Sequence, residues 1–449
     1  MRQTKYKHYP EKTPAARTTR GGGRASALFG QGRTARSSPV EYQREGAASE
    51  LLRRHRPDYW LVVLMALLMA VGLIVVYSIS PALAELRGGN YVAHQVVAIG
   101  LSLCAFFVTS RVPLRQWQRV QWWLLAFAVV GTMIALLTPA IPAYPQHRWI
   151  RLGSFSLQSV EVLKFALLIC LSGFLVTRVQ RGVLASFQHT LKPLGIVLLV
   201  VGGIVAFVQS DLGSAGVIVA MSVAMGYVAG LPMRRIMLIG AVVVLGTFLA
   251  VSSTPYRRDR LAAYMHPENN CSTASGHQAC QALIAVGSGG MIGLGLGKSV
   301  QAYGYLPEAQ NDSIFAIYAE KFGFVGSVVL LGLYVLLFSR LRRVLERAPD
   351  MFSRLVVTGV LAWLSTQAII NVGAMLGLLP LKGITLPLIS YGGTSVLFVG
   401  AALGLVFQVS YYTKFSSRVT YDGPRSTHED TTYRRRVGRA YRTDFSGRA

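Results

Sequence analysis

The stretch Tyr59–Ser80, YWLVVLMALLMAVGLIVVYSIS, runs for twenty-two residues without a charged side chain. A helix needs about 20 apolar residues to cross the roughly 30 Å hydrocarbon core of a bilayer. Nine comparable runs follow: Tyr91–Ser110, Val120–Pro139, Ser159–Thr177, Leu194–Gln209, Leu212–Gly230, Arg235–Val251, Ser313–Ser339, Phe352–Leu378 and Tyr391–Tyr412. The 449-residue chain has a mean hydropathy of +0.43 and only 14% charged residues, against about 25% in soluble domains. Backbone groups in lipid must pair within their own segment. The fold class expected is therefore all-α: a polytopic integral membrane protein of about ten transmembrane helices.

The formal charge of +26 gathers at the two ends. Residues 1–57 and 414–449 are basic, poor in apolar side chains and expected to be disordered. Residues 58–413 form the helical domain. The tails read as topology anchors against anionic lipid or as docking segments for a cytoplasmic partner. No folded basic module is visible, so nucleic acid is not an expected partner. The N-terminus is too long and polar before its first apolar run for a cleaved signal peptide. SRVPLRQWQR, TRVQRG, PMRR and SRLRRVLER fall in every second connector, which puts them and both termini in the cytoplasm. The alternate connectors face outward, including a large loop, Ser252–Asp312, between the seventh and eighth spans. No repeat of the kind that marks inverted-repeat transporters is evident.

Cys104 and Cys170 read as small core residues, whereas Cys271 and Cys280 share one polar loop, CSTASGHQAC. A disulfide between the latter pair depends on that loop facing an oxidising compartment. The alternation of apolar residues with glycine after Cys280 suggests an interfacial or re-entrant segment. GLGLGK within it lacks the spacing of a phosphate loop.

The outward connectors carry the polar chemistry. HRWIRLGSFSLQSVEVLK supplies Arg148, Trp149, Arg151, Gln158, Glu161 and Lys164. Glu161 and Lys164 are three apart and share a helix face, either as a local ion pair or as the lining of a polar cavity. Asp211 is placed to cap the sixth span. YLPEAQNDSIFAIYAEKFG, Tyr305–Gly323, adds Glu308, Asp312 and Glu320. Asp312 is either a helix N-cap or a chemical group. Glu320 lies about 12 Å deeper along a helix, and an unpartnered carboxylate there would neutralise. A cation or hydrogen-bond donor from another span is therefore expected beside it. LGLLPLKGITLPLISYGGTS is interrupted by Pro380 and Pro387. It reads as a membrane-dipping hairpin in which Lys382 either snorkels to headgroups or faces a ligand.

Three of these segments, HRWIRLGSFSLQSVEVLK, YGYLPEAQNDSIFAIYAEKFGFVG and GLLPLKGITLPLISYGGTS, resemble the SEDS family, the FtsW/RodA/SpoVE proteins. The form Lys382–Pro387 is most like the division-type FtsW branch. The resemblance implies a ten-span peptidoglycan glycosyltransferase in the bacterial cytoplasmic membrane, at the division septum, that polymerises lipid II on the outer face. It implies a class B penicillin-binding transpeptidase (FtsI-like) and other divisome membrane proteins as partners. It places the essential aspartate at Asp312 and a family pattern at Gln158–Glu161. The full set of substrate-binding candidates is Arg148, Trp149, Gln158, Glu161, Lys164, Glu308, Glu320, Lys382, Ser390, Tyr391, Gly392 and Gly393. Two departures stand out. The family pattern Gln-Pro-Ala-Glu is Gln158-Ser159-Val160-Glu161 here, and the usual His-Thr before the aspartate is Gln310-Asn311.

Such a reaction needs a base within about 3 Å of the acceptor hydroxyl and fixed cations or donors at the departing pyrophosphate. Asp312 is the expected base; Arg148, Lys164 and Lys382 are the expected pyrophosphate contacts. No cofactor is required, and a divalent cation, Mg or Mn, is optional. The rival readings are a lipid II flippase, an elongation-type polymerase and a scaffold for the transpeptidase. A flippase would need charged groups along both leaflets, whereas these cluster on the outward side.

Overall fold

The computed structural model describes residues 53–54, 56–138, 148–152, 155–252, 258, 264–265, 271–272, 274–381 and 383–413. The expected tails, apart from residues 53–54 and 56–57, lie outside them, as does Lys382.

In chain order the elements are β1 (Arg53–Arg54), α1 (Tyr59–Arg87), α2 (Tyr91–Arg111), α3 (Leu114–Leu137), β2 (Trp149–Leu152), β3 (Phe155–Gln158) and α4 (Ser159–Gln180). Then come α5 (Lys192–Gly203), α6 (Leu212–Ala229), α7 (Met233–Ser252), α8 (Ala274–Ser288), α9 (Ile314–Arg347), α10 (Met351–Met375), α11 (Gly393–Ser410) and β4 (Tyr412–Thr413). Among the described residues, nine helical segments are long and apolar enough to cross a membrane. The twenty-residue α7 occupies the place of the seventh expected span. The chain is an all-helical, multi-pass membrane protein.

Several boundaries differ from expectation. The connector SRVPLRQWQR is mostly helix: Pro113 stands at the N-cap of α3 and only Val112 and Pro113 separate it from α2. Proline presets the backbone for a helix start. The fifth span is α5 flanked by π-helical turns, Phe187–Leu191 and Ile204–Val208. The connector between α7 and α9 contains a helix, α8, that its polar, glycine-containing sequence did not suggest. Asp211 caps α6 as expected, with Oδ1 accepting from Ser214 N (2.9 Å) and Oδ2 from Ser214 Oγ (2.8 Å).

α4 is the central helix, with 89% of its spanning window buried, and α11 follows at 83%. A helix hydrophobic all round is buried all round. The small β2–β3 hairpin leads directly into α4 and pairs Trp149 with Gln158. Antiparallel β1 and β4 pair the chain just before α1 with the chain just after α11.

α9 is broken at Gly323, whose φ of 65° and ψ of −163° no helix uses. The broken turn takes in the glycine-rich segment after α8. Leu294 N and Gly295 N donate to Glu320 O and Lys321 O, while Phe324 N and Val325 N donate to Gly290 O and Met291 O. A Cβ on Gly323 would stand 2.4 Å from Gly293 N. Glycine is required there by both conformation and space.

The connector between α10 and α11 dips into the bundle, as expected. Pro387 O accepts from Tyr334 Oη in the middle of α9. Ile389 backbone lies so close to α1 that a Cβ on Gly72 would meet Ile389 O at 2.6 Å.

Candidate functional site

Asp312 immediately precedes α9, but the N-cap position belongs to Ser313 and no side-chain capping bond is made. Asn311 donates from Nδ2 to Glu308 Oε2. Asp312 stands one position ahead of the N-cap. Its half-buried carboxylate meets Gln278 of α8, whose Nε2 lies 3.3 Å from both Oδ1 and Oδ2 and 3.0 Å from Ser313 Oγ.

The backbone around Asp312 is held from two sides. Asn371 Nδ2 of α10 donates to Asp312 O and to Ile384 O, each at 2.7 Å. Ser390 Oγ donates to Asn311 O (2.6 Å) and Tyr391 N donates to Gln310 O (2.8 Å). The dipping connector is thus fastened to the segment that carries the aspartate. Glu308 sits in a left-handed conformation, φ 51°, and its carbonyl accepts from Asn311 N and Ser313 N.

Arg148 directly precedes β2. Its Nε and Nη2 donate to Gln209 O (2.6 Å) and Ser210 O (2.7 Å), pinning the turn before α6. Gly383 lies between Arg148 and Asp312. A Cβ there would stand 3.7 Å from Arg148 Nη1 and 3.8 Å from Asp312 Oδ2. One guanidinium edge and one carboxylate edge thus border a common space that a glycine leaves open.

The altered Gln158–Glu161 pattern keeps a defined helix entry. Ser159 N donates to Arg148 O (3.2 Å), and Ser159 Oγ accepts from Gln209 Nε2 (2.8 Å). Ser159 thus ties α4 to the Arg148 strand and to the turn that Arg148 holds. Gln158 N donates to Thr394 Oγ1 at 3.2 Å, joining the hairpin to α11.

Glu161 and Lys164 form the ion pair their spacing allowed, at 2.7 Å, with both side chains buried. Lys164 Nζ also donates to Gln367 Oε1 (3.2 Å) and lies over the Trp363 ring, 5.1 Å from its centroid. Gln367 Nε2 then donates to Thr385 O (2.9 Å) in the dipping connector. The pair is a core group coupled to the connector, and its link to the Asp312 region runs through residues 384–385.

Glu320 has donors, but they come from the loop after α8 and not from another span. Ser299 Oγ, Val300 N (2.9 Å) and Gln301 N (3.1 Å) all point to its carboxylate. The reason is the break at Gly323, which admits loop backbone where a continuous helix would have presented only side chains. Glu320 thus anchors the loop at a different place from Asp312. Gly392 has an extended φ of −178°. Cβ atoms on Gly392 and Gly393 would make only ordinary contacts, at 3.7 Å or more, so neither position demands glycine. Tyr391 packs against Tyr91, with ring centroids 5.4 Å apart.

Cys271 and Cys280 are joined in a disulfide with Cα atoms 5.4 Å apart. Cys280 lies on α8 two residues after Gln278. The sequence reading missed Gln278, Gln209, Gln367 and Asn371. For the last two a signal existed: two amides four apart in an apolar span share one helix face, and polar groups in a span turn inward. Among the described residues no three His, Cys, Asp or Glu side chains stand together as metal ligands.

The family model described as "Cell cycle protein", FTSW_RODA_SPOVE, matches residues 59–415. The probable peptidoglycan glycosyltransferase FtsW of Coxiella burnetii is 36% identical over 365 residues, covering 80% of this chain and 97% of its own. Stage V sporulation protein E of Bacillus subtilis is 34% identical, covering 81% and 99%. Among solved structures, a chain from work on the structural coordination of polymerization and crosslinking by a peptidoglycan synthase complex superposes with TM-score 0.65 at 27% identity, covering 79% and 97%. The rod shape determining protein RodA of Thermus thermophilus gives 0.56 at 28%, covering 79% and 96%. The chain belongs to the FtsW/RodA/SpoVE family and is of its FtsW type.

Proposed function

We propose that this protein is a peptidoglycan glycosyltransferase that polymerises lipid II at the outer face of the bacterial cytoplasmic membrane, for septal wall synthesis. The observation that carries the reading is the state of Asp312. It stands one position ahead of the Ser313 N-cap, its carboxylate is met by the Gln278 amide, and it borders the same space as Arg148 at Gly383.

The chemistry follows from that geometry. The Asp312 carboxylate takes the proton of the acceptor sugar hydroxyl as that oxygen attacks the anomeric carbon of the donor. The bond from that carbon to the undecaprenyl pyrophosphate breaks, and the electron pair leaves with the pyrophosphate. Arg148 is the cation beside the base, placed to meet developing negative charge. Attack with inversion needs no covalent enzyme intermediate, so one base suffices.

A class B penicillin-binding transpeptidase is the proposed partner, supported by the likeness to a chain from a synthase complex that couples polymerization to crosslinking. The Cys271–Cys280 disulfide supports placing the α8 loop in an oxidising compartment, outside the membrane. The flippase reading has less support: Glu161, Lys164 and Glu320 are engaged in internal contacts, and no chain of charges through the bundle emerges from them.

Lipid II polymerisation by purified protein, with and without the transpeptidase, tests the reading. Base catalysis contributes about 10²–10⁴-fold. Asp312→Ala is expected to remove polymerisation while leaving the fold intact, and Asp312→Glu to keep a trace. A loss smaller than about tenfold in Asp312→Ala would falsify the assignment of the base.

A further inference from the structure

At the far end of α9 from Asp312, a cavity of about 230 Å³ is lined by Arg56, Asp58, Arg340, Arg343, Arg347 and Ser410, among others. We propose that this arginine-lined cavity is a binding site for the phosphate of an anionic phospholipid headgroup. The catalytic reading does not use it.

Four guanidinium groups line the cavity against one carboxylate. That carboxylate is already engaged: Asp58 Oδ1 accepts from Trp60 N (3.1 Å) to cap α1, and Oδ2 lies 3.8 Å from Arg340 Nη1. Asp58 N in turn donates to Ser410 Oγ at the end of α11 (3.1 Å). Arginines in the last turns of α9 alone would be explained by the helix dipole and by topology. The α9 dipole does not cover Arg56, which precedes α1, and topology alone does not build a concave wall from three separate elements. Planar guanidinium forks match phosphate oxygens two at a time, and the cavity is below the roughly 300–1,000 Å³ of drug-sized sites.

A lipid source follows from the position. The cavity lies where α1 begins and α11 ends, beside Tyr59 and Trp60, which are 59% and 57% exposed. Exposed Tyr and Trp at helix ends mark the headgroup level of a bilayer. One to two turns into the span, Val63 and Leu67 of α1 and Val335 and Leu336 of α9 are exposed and apolar, a surface for acyl chains. The basic connectors place this end in the cytoplasm, where the leaflet is anionic.

Native mass spectrometry of the full chain, titrated in detergent with phosphatidylglycerol or phosphatidylcholine, tests the site. The wild type is expected to retain one phosphatidylglycerol at concentrations where phosphatidylcholine is not retained. Each basic residue near an anionic surface is worth about fivefold in binding, so the Arg343→Gln/Arg347→Gln double variant should bind roughly 25-fold more weakly. Both side chains are exposed, and an unchanged circular dichroism spectrum checks the fold. Arg342→Gln, which removes a charge from the same turn but outside the cavity, should leave retention unchanged. Equal retention of both lipids, an unaffected double variant or an equal loss in Arg342→Gln overturns the site. Displacement of the lipid by equimolar inorganic phosphate would assign the cavity to free phosphate and overturn the lipid source.

Discussion

Gln278 Nε2 stands 3.3 Å from each carboxylate oxygen of Asp312, so the amide of a loop helix holds the side chain proposed as the base. A donor to a carboxylate favours its ionised form. In Gln278→Leu the Asp312 carboxyl should ionise at higher pH, and activity should be lost first on the acid side. The acidic limb should move toward neutral pH, because only the ionised form loses its donor. The pH–rate profile of lipid II polymerisation measures it. An unchanged acid limb with uniformly lowered activity would leave Gln278 a packing residue only.

The disulfide should act through the same amide. Cys271–Cys280 ties the middle of α8 to the chain just before it, and closing so short a loop stabilises by about 2–3 kcal/mol in the chain-entropy account. Reduction, or Cys271→Ser/Cys280→Ser, is expected to lower polymerisation severalfold and to shift the acidic limb in the direction of Gln278→Leu. Turnover indifferent to reductant, with the thiols shown free by mass spectrometry, would uncouple the bridge from the site.

Gly383 makes a steric prediction. A methyl group there reaches only ordinary contact distances, 3.7 and 3.8 Å from Arg148 Nη1 and Asp312 Oδ2. Gly383→Ala should keep most activity. Gly383→Leu extends into the shared space and should reduce kcat/KM by at least an order of magnitude, as misplacement at a reacting centre costs about 10²-fold. Equal activity in both variants would mean that the reaction does not use this space.

Lys164→Met leaves Glu161 in the core without its cation, and Glu161 Oε2 already has no hydrogen-bond partner among the described residues. Breaking a buried pair from one side costs about 3–5 kcal/mol, while replacing both partners costs far less. Thermal unfolding in detergent should show Lys164→Met strongly destabilised and Glu161→Gln/Lys164→Met partly restored. Additive losses in the double variant would refute coupling between the two.

The break in α9 is tested by Gly323→Ala. The left-handed backbone alone costs a non-glycine residue about 1–3 kcal/mol, and the methyl would also collide with Gly293 N. Hydrogen exchange of Leu294 and Gly295, whose amides donate to Glu320 O and Lys321 O, should accelerate. Glu320→Gln should loosen the Ser299–Gln301 segment more gently, since an amide keeps one acceptor for the two backbone donors.

Much of the architecture was open to reading because lipid imposes it. Long apolar runs have no other way to satisfy their backbone than as helices, and the basic connectors fall at alternating ends. The Glu161–Lys164 pair and the Asp211 cap were legible for the same local reason: helical spacing fixes which near neighbours meet. The partner of Glu320 was not legible. A span was expected to supply it, but the break at Gly323 opened α9 to loop backbone, and a glycine in an apolar run does not announce a break. Gln278 was hidden because its loop carried no periodic pattern strong enough to reveal α8.

The linear chain by itself determined the membrane-spanning class, the family and the identity of the candidate base, since these rest on hydropathy, charge alternation and local motifs. Only the folded molecule decided what surrounds that base: the amide of α8, the guanidinium of Arg148 and the gap at Gly383 come from segments more than thirty residues away from Asp312 or from each other. Their meeting depends on how the helices pack and where backbone enters a broken turn, and such long-range contacts leave no periodic trace in the order of residues.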